Sequence, residues 1–266
     1  MVKIARFATK EGKVRYGAPD GEGSFDLIAG DIFGDWSLTG NKLDEEAVTL
    51  LPPVDPPNVI AIGLNYTGHA EESGMDLPER PVIFLKATTA VCGPEEDIVL
   101  PSIAPDEVDY ECELTIVMGK KAKHVSKEEA LDYVLGYTCG NDVSARDCQI
   151  RLDVQWARGK SFDTFAPLGP WIETEMNPDE VGIRTRLNGT VMQESNTNDL
   201  IFSCKELVSY LSDCMTLLPG TVIMTGTPSG VGFARKPPVF LKPGDVVEIE
   251  VDGIGVLENE VVAEDA

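Results

Sequence analysis

A chain of 266 residues, 42% hydrophobic and 25% charged, is long enough for one large domain, or one with a small companion, and too apolar to be disordered. Its 45 acidic residues against 22 basic ones give a net charge of −23, which argues against nucleic acid or anionic membranes as partners. The bland account of that excess is a solvated acidic surface suited to saline surroundings.

Residues 1–7 are a short mixed segment without the apolar run of a secretory signal. No stretch approaches the ~18 apolar residues of a membrane span, so a cytoplasmic location is expected. Residues 2–7 and 13–17 read as a hairpin turning at Glu11-Gly12. Pro52, Pro53, Pro56 and Pro57 then crowd one short segment. Such a segment forms neither helix nor central strand, and it marks the expected junction between a small β-rich N-terminal unit, residues 1–55, and a catalytic unit, residues 56–266.

The second unit is expected to be mostly β, with strands at 59–62, 82–85, 113–118, 171–173, 184–187, 222–224 and 246–251. Asn188-Gly189 and Asp252-Gly253 are hairpin turns. Ser126 with Glu129, and Ser203 with Glu206, have capping-box spacing. They predict helices over about 126–135 and 203–214. The expected class is α+β: mixed sheets rolled into a sandwich or barrel, with peripheral helices. The six cysteines, at 92, 112, 139, 148, 204 and 214, are scattered and form no C-x-x-C pair. Free thiols in a reducing compartment account for them.

Five constellations can carry chemistry. Glu111 and Glu113 are two apart at the start of an apolar strand, so they share a face, with Cys112 on the other. From spacing alone a wet surface suits them better than a core, because two like charges facing inward need a cation or hydrogen bonds. Asp142 stands at a turn where Ser144 can cap a short helix. It is either a turn former or a third oxygen ligand, and Arg146–Asp147 is either a surface pair or part of a site. Three carboxylates would suit Mg²⁺ or a similar hard ion. Arg146, Arg151, Arg158 and Lys160 concentrate positive charge where an anionic substrate would need it, or else form ordinary salt bridges. His69 and Glu72 share a helical face if a turn starts there, and such a pair can hold and deprotonate water; His124, in a polar loop, is read as structural. The 225–232 segment is glycine-rich without G-K-[ST]. It is therefore no nucleotide loop, but either a plain turn or a place where backbone amides approach an anion.

The ordered series is more specific than any member of it. Gly63-x-Asn65-Tyr66-x-x-His69-Ala-x-Glu72 is followed by Asp109-Tyr-Glu-x-Glu113-Leu and Asn141-Asp-Val-Ser-Ala-Arg-Asp147. Arg158-Gly-Lys-Ser-Phe-Asp-Thr-Phe-Ala-Pro-Leu-Gly-Pro170 and Thr225-Gly-Thr-Pro-x-Gly-Val-Gly232 complete it. Over about residues 56–262 this resembles the fumarylacetoacetate hydrolase family. The resemblance implies that family's fold and a homodimer. It implies Mg²⁺ or Mn²⁺ on Glu111, Glu113 and Asp142, and water activation by His69 and Glu72 on a lid. It also implies a catalytic Lys160, and Arg146, Gln149 and Thr227 lining the substrate pocket. The short N-terminal unit resembles the compact members. The implied activity is hydrolysis of a C–C bond in a small acylpyruvate-like diketo acid through a pyruvate enolate. The alternatives are an isomerase of the hydroxyheptadienedioate type, an oxaloacetate decarboxylase, a sugar-acid dehydratase, or an inactive metal-binding homologue.

Overall fold

The computed structural model describes residues 2–264; Met1, and Asp265 and Ala266 at the end of the expected catalytic unit, lie outside the described residues. The described chain is mostly β with few helices. A 12-stranded and a five-stranded sheet dominate it, with a two-stranded ribbon of Val108–Asp109 and Ser144–Ala145 beside them. Cys112, Leu114, Ile116 and Met118 of the larger sheet meet Ile183, Val247, Ile249 and Val251 of the smaller in one buried cluster. This is the expected sandwich.

The N-terminal strands Lys3–Thr9, Val14–Pro19, Ser24–Gly30 and Trp36–Asp44 form an antiparallel meander. The predicted first hairpin is there, with Ala8 opposite Val14 and Gly12 at φ 75°. The first strand also pairs with Ala166–Glu173, through Lys3 with Glu173 and Ile4 with Ile172, so the meander extends the large sheet. Strands at Val59–Gly63, Val82–Lys86, Val222–Met224 and Val246–Val251 occupy the positions that their apolar patterns predict. Asn188 and Gly189, both at positive φ (51° and 75°), close the Gly182–Leu187/Thr190–Asn196 hairpin.

The helix expected over 126–135 is a correction. Ser126 does donate to Glu129 at 2.8 Å, but only a 3-10 turn, Ala130–Tyr133, follows. Val134–Asn141 is a strand instead, hydrogen-bonded to Cys112–Met118 on one side and Ala166–Glu173 on the other. Ladders to two neighbouring strands outweigh a local capping preference. The second capping box behaves as predicted: Ser203 and Glu206 open the α-helix Cys204–Cys214, which buries Leu207, Val208 and Leu211. All six cysteines are free, and only Cys214 is exposed. No helix among the described residues is long and apolar enough to cross a membrane.

Candidate active site

Antiparallel pairing builds the carboxylate cluster. Cys112 lies opposite Asn141 at the open end of the ladder, so the residue before the first meets the residue after the second. Glu111 and Asp142 are therefore neighbours, and the Asp142 N–H donates to the Glu111 carbonyl at 2.9 Å. Alternation supplies the third member. Cys112, Leu114 and Ile116 face the inter-sheet core while Val117 joins a second cluster on the opposite side. Glu113 shares the parity of Val117. One ligand oxygen from each of Glu111, Glu113 and Asp142 falls within 4.8 Å of the others. The three residues are only 5%, 1% and 1% exposed, so the wet-surface reading of Glu111 and Glu113 fails.

Cations gather around this cluster. Lys160 ends the short helix Ala157–Lys160 and donates to Glu111 at 2.7 Å and Asp142 at 2.6 Å. The helix can approach because Gly159 has no side chain: a Cβ there would stand 2.8 Å from the Ala145 carbonyl oxygen and the Gln149 nitrogen. Nη2 of Arg146 lies 2.9 Å from Asp109 and 2.6 Å from Glu111. Its Nη1 donates to Gln149 at 2.8 Å, and its guanidinium stacks on Phe233. The surface pair Arg146–Asp147 does not form, because Asp147 accepts from the Cys148 N–H instead. Ser144 caps no helix; it sits in a short strand and donates to the Asp142 carbonyl at 2.8 Å. The basic cluster divides. Arg146 and Lys160 are buried at the site, whereas Arg151 and Arg158 make exposed pairs with Glu107 and Asp153.

His69 and Glu72 lie on the α-helix Thr67–Ser73, with His69 Nδ1 3.6 Å from Glu72 Oε2. Asn65 secures the chain ahead of that helix, donating to the Phe202 and Thr225 carbonyls at 3.0 and 2.7 Å and accepting from the Phe202 N–H. Glu72 accepts from the Gly230 N–H at 3.0 Å, so the helix is clipped to the glycine-rich segment. That segment also reaches the cluster, since the Gly226 N–H donates to Glu113 at 2.8 Å. Gly226 has φ 104°, and a Cβ there would stand 2.7 Å from the Asn65 Cβ, so only glycine fits. His124 is at the surface, 3.1 Å from Asp213.

All nine sequence-predicted residues except Glu72 line one cavity of about 390 Å³, whose walls include Ile62, Phe84 and Trp156; Glu72 lies 3.6 Å from His69. Three further residues shape the site. Lys86 donates to Asp142 and to the Val143 carbonyl. No local pattern marks it, because a lysine at a strand end is ordinarily solvated. Asp109 holds Arg146 and accepts from the Gly232 and Phe233 amides at 2.8 and 2.9 Å. Gln193, on the other sheet, donates to Thr227.

The charges act unequally. Burial pushes the Glu111 carboxyl up, but Lys160 and Arg146 overcome that and hold it below the ordinary range. Burial, then repulsion by Asp142 and Glu111, drives Glu113 well above its usual value. Among the described residues no cationic nitrogen pairs with Glu113; its hydrogen-bond donor is the Gly226 amide. Lys160 is opposed by burial, yet Asp142 and Glu111 raise it. Burial lowers Lys86 in spite of Asp142. For Glu72 burial acts upward, and His69 and the Gly230 amide outweigh it. A buried carboxylate without a cation, beside two others, fits a hard divalent ion with oxygen ligands. Glu111, Glu113 and Asp142 are the residues that would hold it.

The family model described as Fumarylacetoacetate (FAA) hydrolase C-terminal matches residues 58–262. A second, described as Rv2993c-like, N-terminal, matches residues 2–53. Oxaloacetate tautomerase Fahd2a, mitochondrial, of Rattus norvegicus is 46% identical over 219 residues, covering 81% of this chain and 70% of that protein. An uncharacterized protein of Archaeoglobus fulgidus is 51% identical over 241 residues, 91% of each chain. The crystal structure of 2-hydroxyhepta-2,4-diene-1,7-dioate isomerase from Mycobacterium marinum superposes with a TM-score of 0.89 at 41% identity, covering 100% of both chains.

Proposed function

Because the chain belongs to the fumarylacetoacetate hydrolase family, we propose that it is a divalent-metal-dependent enzyme that forms the enolate of a small 2-oxo acid, and that it hydrolyses a C–C bond in an acylpyruvate. The observation that carries this reading is the buried triad Glu111, Glu113 and Asp142 beside Lys160, with His69 facing the same cavity.

When bound, Mg²⁺ or Mn²⁺ supplies a Lewis acid that stabilises negative charge developing on substrate oxygens. Lys160 adds a fixed positive charge that needs no reorganisation during the reaction. Arg146, held by Asp109 and Gln149, and Thr227 orient the substrate carboxylate. His69 takes a proton from water, and the negative charge of Glu72, anchored on Gly230 and 3.6 Å from Nδ1, stabilises the imidazolium that forms. The water oxygen adds to the distal carbonyl carbon. The C–C bond then breaks, its electron pair passes into the pyruvate enolate, and a proton completes pyruvate. The apolar wall of Ile62, Phe84 and Trp156 keeps other water out.

A second reading has a specific support: relatives named as an oxaloacetate tautomerase and a dioate isomerase are 46% identical over 219 residues and 41% identical to this chain. In it the same enolate forms, and His69 moves a proton between carbon and bulk solvent without water attack. The test is a panel of acetylpyruvate, oxaloacetate and a 2-oxo-3-deoxy sugar acid, each assayed with Mg²⁺. Release of acetate and pyruvate from acetylpyruvate supports hydrolysis. Accelerated loss of the oxaloacetate enol absorbance without pyruvate supports tautomerisation. No turnover of any of them sinks both readings. The homodimer and the cytoplasmic location belong to the same proposal; sedimentation and cell fractionation test them.

A further inference from the structure

Gln193 lies on the Thr190–Asn196 strand of the five-stranded sheet and is 1% exposed. Every donor and acceptor of its side-chain amide is used. Oε1 accepts from the Cys112 N–H at 3.0 Å and from the Thr185 hydroxyl at 2.8 Å. Nε2 donates to the Thr227 hydroxyl oxygen at 2.8 Å and to the Pro228 carbonyl at 2.9 Å. The two main-chain partners dictate which end of the amide is which. A backbone N–H only donates and a carbonyl only accepts, so a flipped amide would set donor against donor and acceptor against acceptor.

That orientation determines what Thr227 can do. Its oxygen receives a proton from Gln193, and its own proton makes no other side-chain hydrogen bond among the described residues. Thr227 lines the cavity together with Glu111, Glu113, Asp142 and Lys160. The same Gln193 amide holds the main chain at Cys112, between the two glutamates.

We infer that Gln193 is a positioning residue: it turns the Thr227 hydroxyl into an obligate donor toward the bound 2-oxo acid and ties that donor and the carboxylate cluster into one frame. The inference rests on the proposed reading of the site as a metal and oxo-acid site. It assigns the Thr227 proton to a substrate oxygen, which carries negative charge as carboxylate or enolate, and a hydrogen bond to such an oxygen is among the strong ones. A role confined to packing the two sheets would leave the direction of the Thr227 proton irrelevant.

Gln193→Glu separates the two. It keeps the oxygen that accepts from Cys112 and Thr185. Its other oxygen brings at most one proton, which the Pro228 carbonyl takes because a carbonyl cannot donate. Thr227 then donates to that oxygen and turns its proton out of the cavity. Oxalate, whose oxygens only accept, is the probe, titrated by calorimetry into protein saturated with Mn²⁺. Gln193→Glu and Thr227→Val should each weaken oxalate binding by about tenfold to a hundredfold. The double variant should lose no more than either alone, and Thr227→Ser should bind like wild type. Mn²⁺ affinity should stay within about twofold throughout. Gln193→Met is the second variant should the first not fold. It leaves the Pro228 carbonyl without its amide donor, and Thr227 is left to supply the proton, with the same loss expected. Oxalate affinity at the wild-type level in either folded variant overturns the inference, as do losses that multiply in the double variant. Absence of Mn²⁺-dependent oxalate binding in the wild type instead overturns the reading of the site, and the inference with it.

Discussion

The ammonium of Lys160 lies 2.6 Å from Oδ2 of Asp142, with both side chains all but excluded from solvent. The same ammonium reaches Glu111 at 2.7 Å, so one lysine braces two of the three carboxylates. A divalent ion would share those oxygens with it. Lys160→Met should therefore uncouple metal binding from catalysis. Without the metal the variant should be destabilised by about 3 kcal/mol, because two buried carboxylates lose a partner. Its Mn²⁺ affinity should be no lower than that of wild type, since a competing cation is gone. Turnover should fall by about a hundredfold or more. Melting curves with and without Mn²⁺, together with the substrate panel, check all three; turnover at the wild-type rate would exclude a catalytic Lys160.

Glu113 is the carboxylate with which no cationic nitrogen pairs among the described residues, and burial followed by its two acidic neighbours raises its pKa. Glu113→Gln removes that repulsion and retains an oxygen for the Gly226 amide. The metal-free variant should gain stability, on the order of 1 kcal/mol, and should lose the rise in melting temperature that Mn²⁺ gives wild type. Opposite signs for the two effects are the diagnostic result. A variant less stable without metal and still stabilised by Mn²⁺ would falsify the ligand role.

His69 faces the cavity, and its ion-pair partner among the described residues is Glu72, 3.6 Å from its Nδ1. His69→Asn should lower turnover by about 10²–10⁴-fold and leave Mn²⁺ affinity unchanged by calorimetry. Loss of the metal in this variant would mean that His69 is a ligand and not a base.

Away from the site, Glu206 closes the capping box of Cys204–Cys214 and pairs with Lys127 at 2.8 Å. Lys127 first, then the Ser203 N–H, holds its carboxyl at about 2. A depressed carboxyl pKa contributes stability that is fully present above the unfolded value of about 4.3 and is lost as pH falls toward the folded value. Glu206→Ala should cost about 1 kcal/mol at pH 7. The gap to wild type in urea titrations should narrow steadily from pH 5 to pH 3. A gap independent of pH over that window would show that the carboxylate charge contributes nothing.

Particular residues mark how far the sequence could be read. Strands such as Val222–Met224 and Val246–Val251 follow from β-branched runs between glycine and proline turns, and the Cys204–Cys214 helix from its cap. Those signals are local, and local physics writes them. Val134–Asn141 was hidden because its stability comes from two neighbouring strands distant in the chain. Lys86 was hidden for a related reason: only burial against Asp142 distinguishes it from a solvated lysine.

Glu111 and Glu113 show where the two kinds of information divide. The sequence by itself determined that they share a face, because a strand repeats every two residues, and the ordered motifs around them determined the family. It did not determine whether that face is wet. Only the tertiary structure decided this, by pairing Cys112 with Asn141 so that Asp142 arrives beside Glu111, and by closing Lys160, Arg146 and the Gly226 amide over all three. Burial of like charges depends on what surrounds them in space, and sequence spacing carries no measure of that.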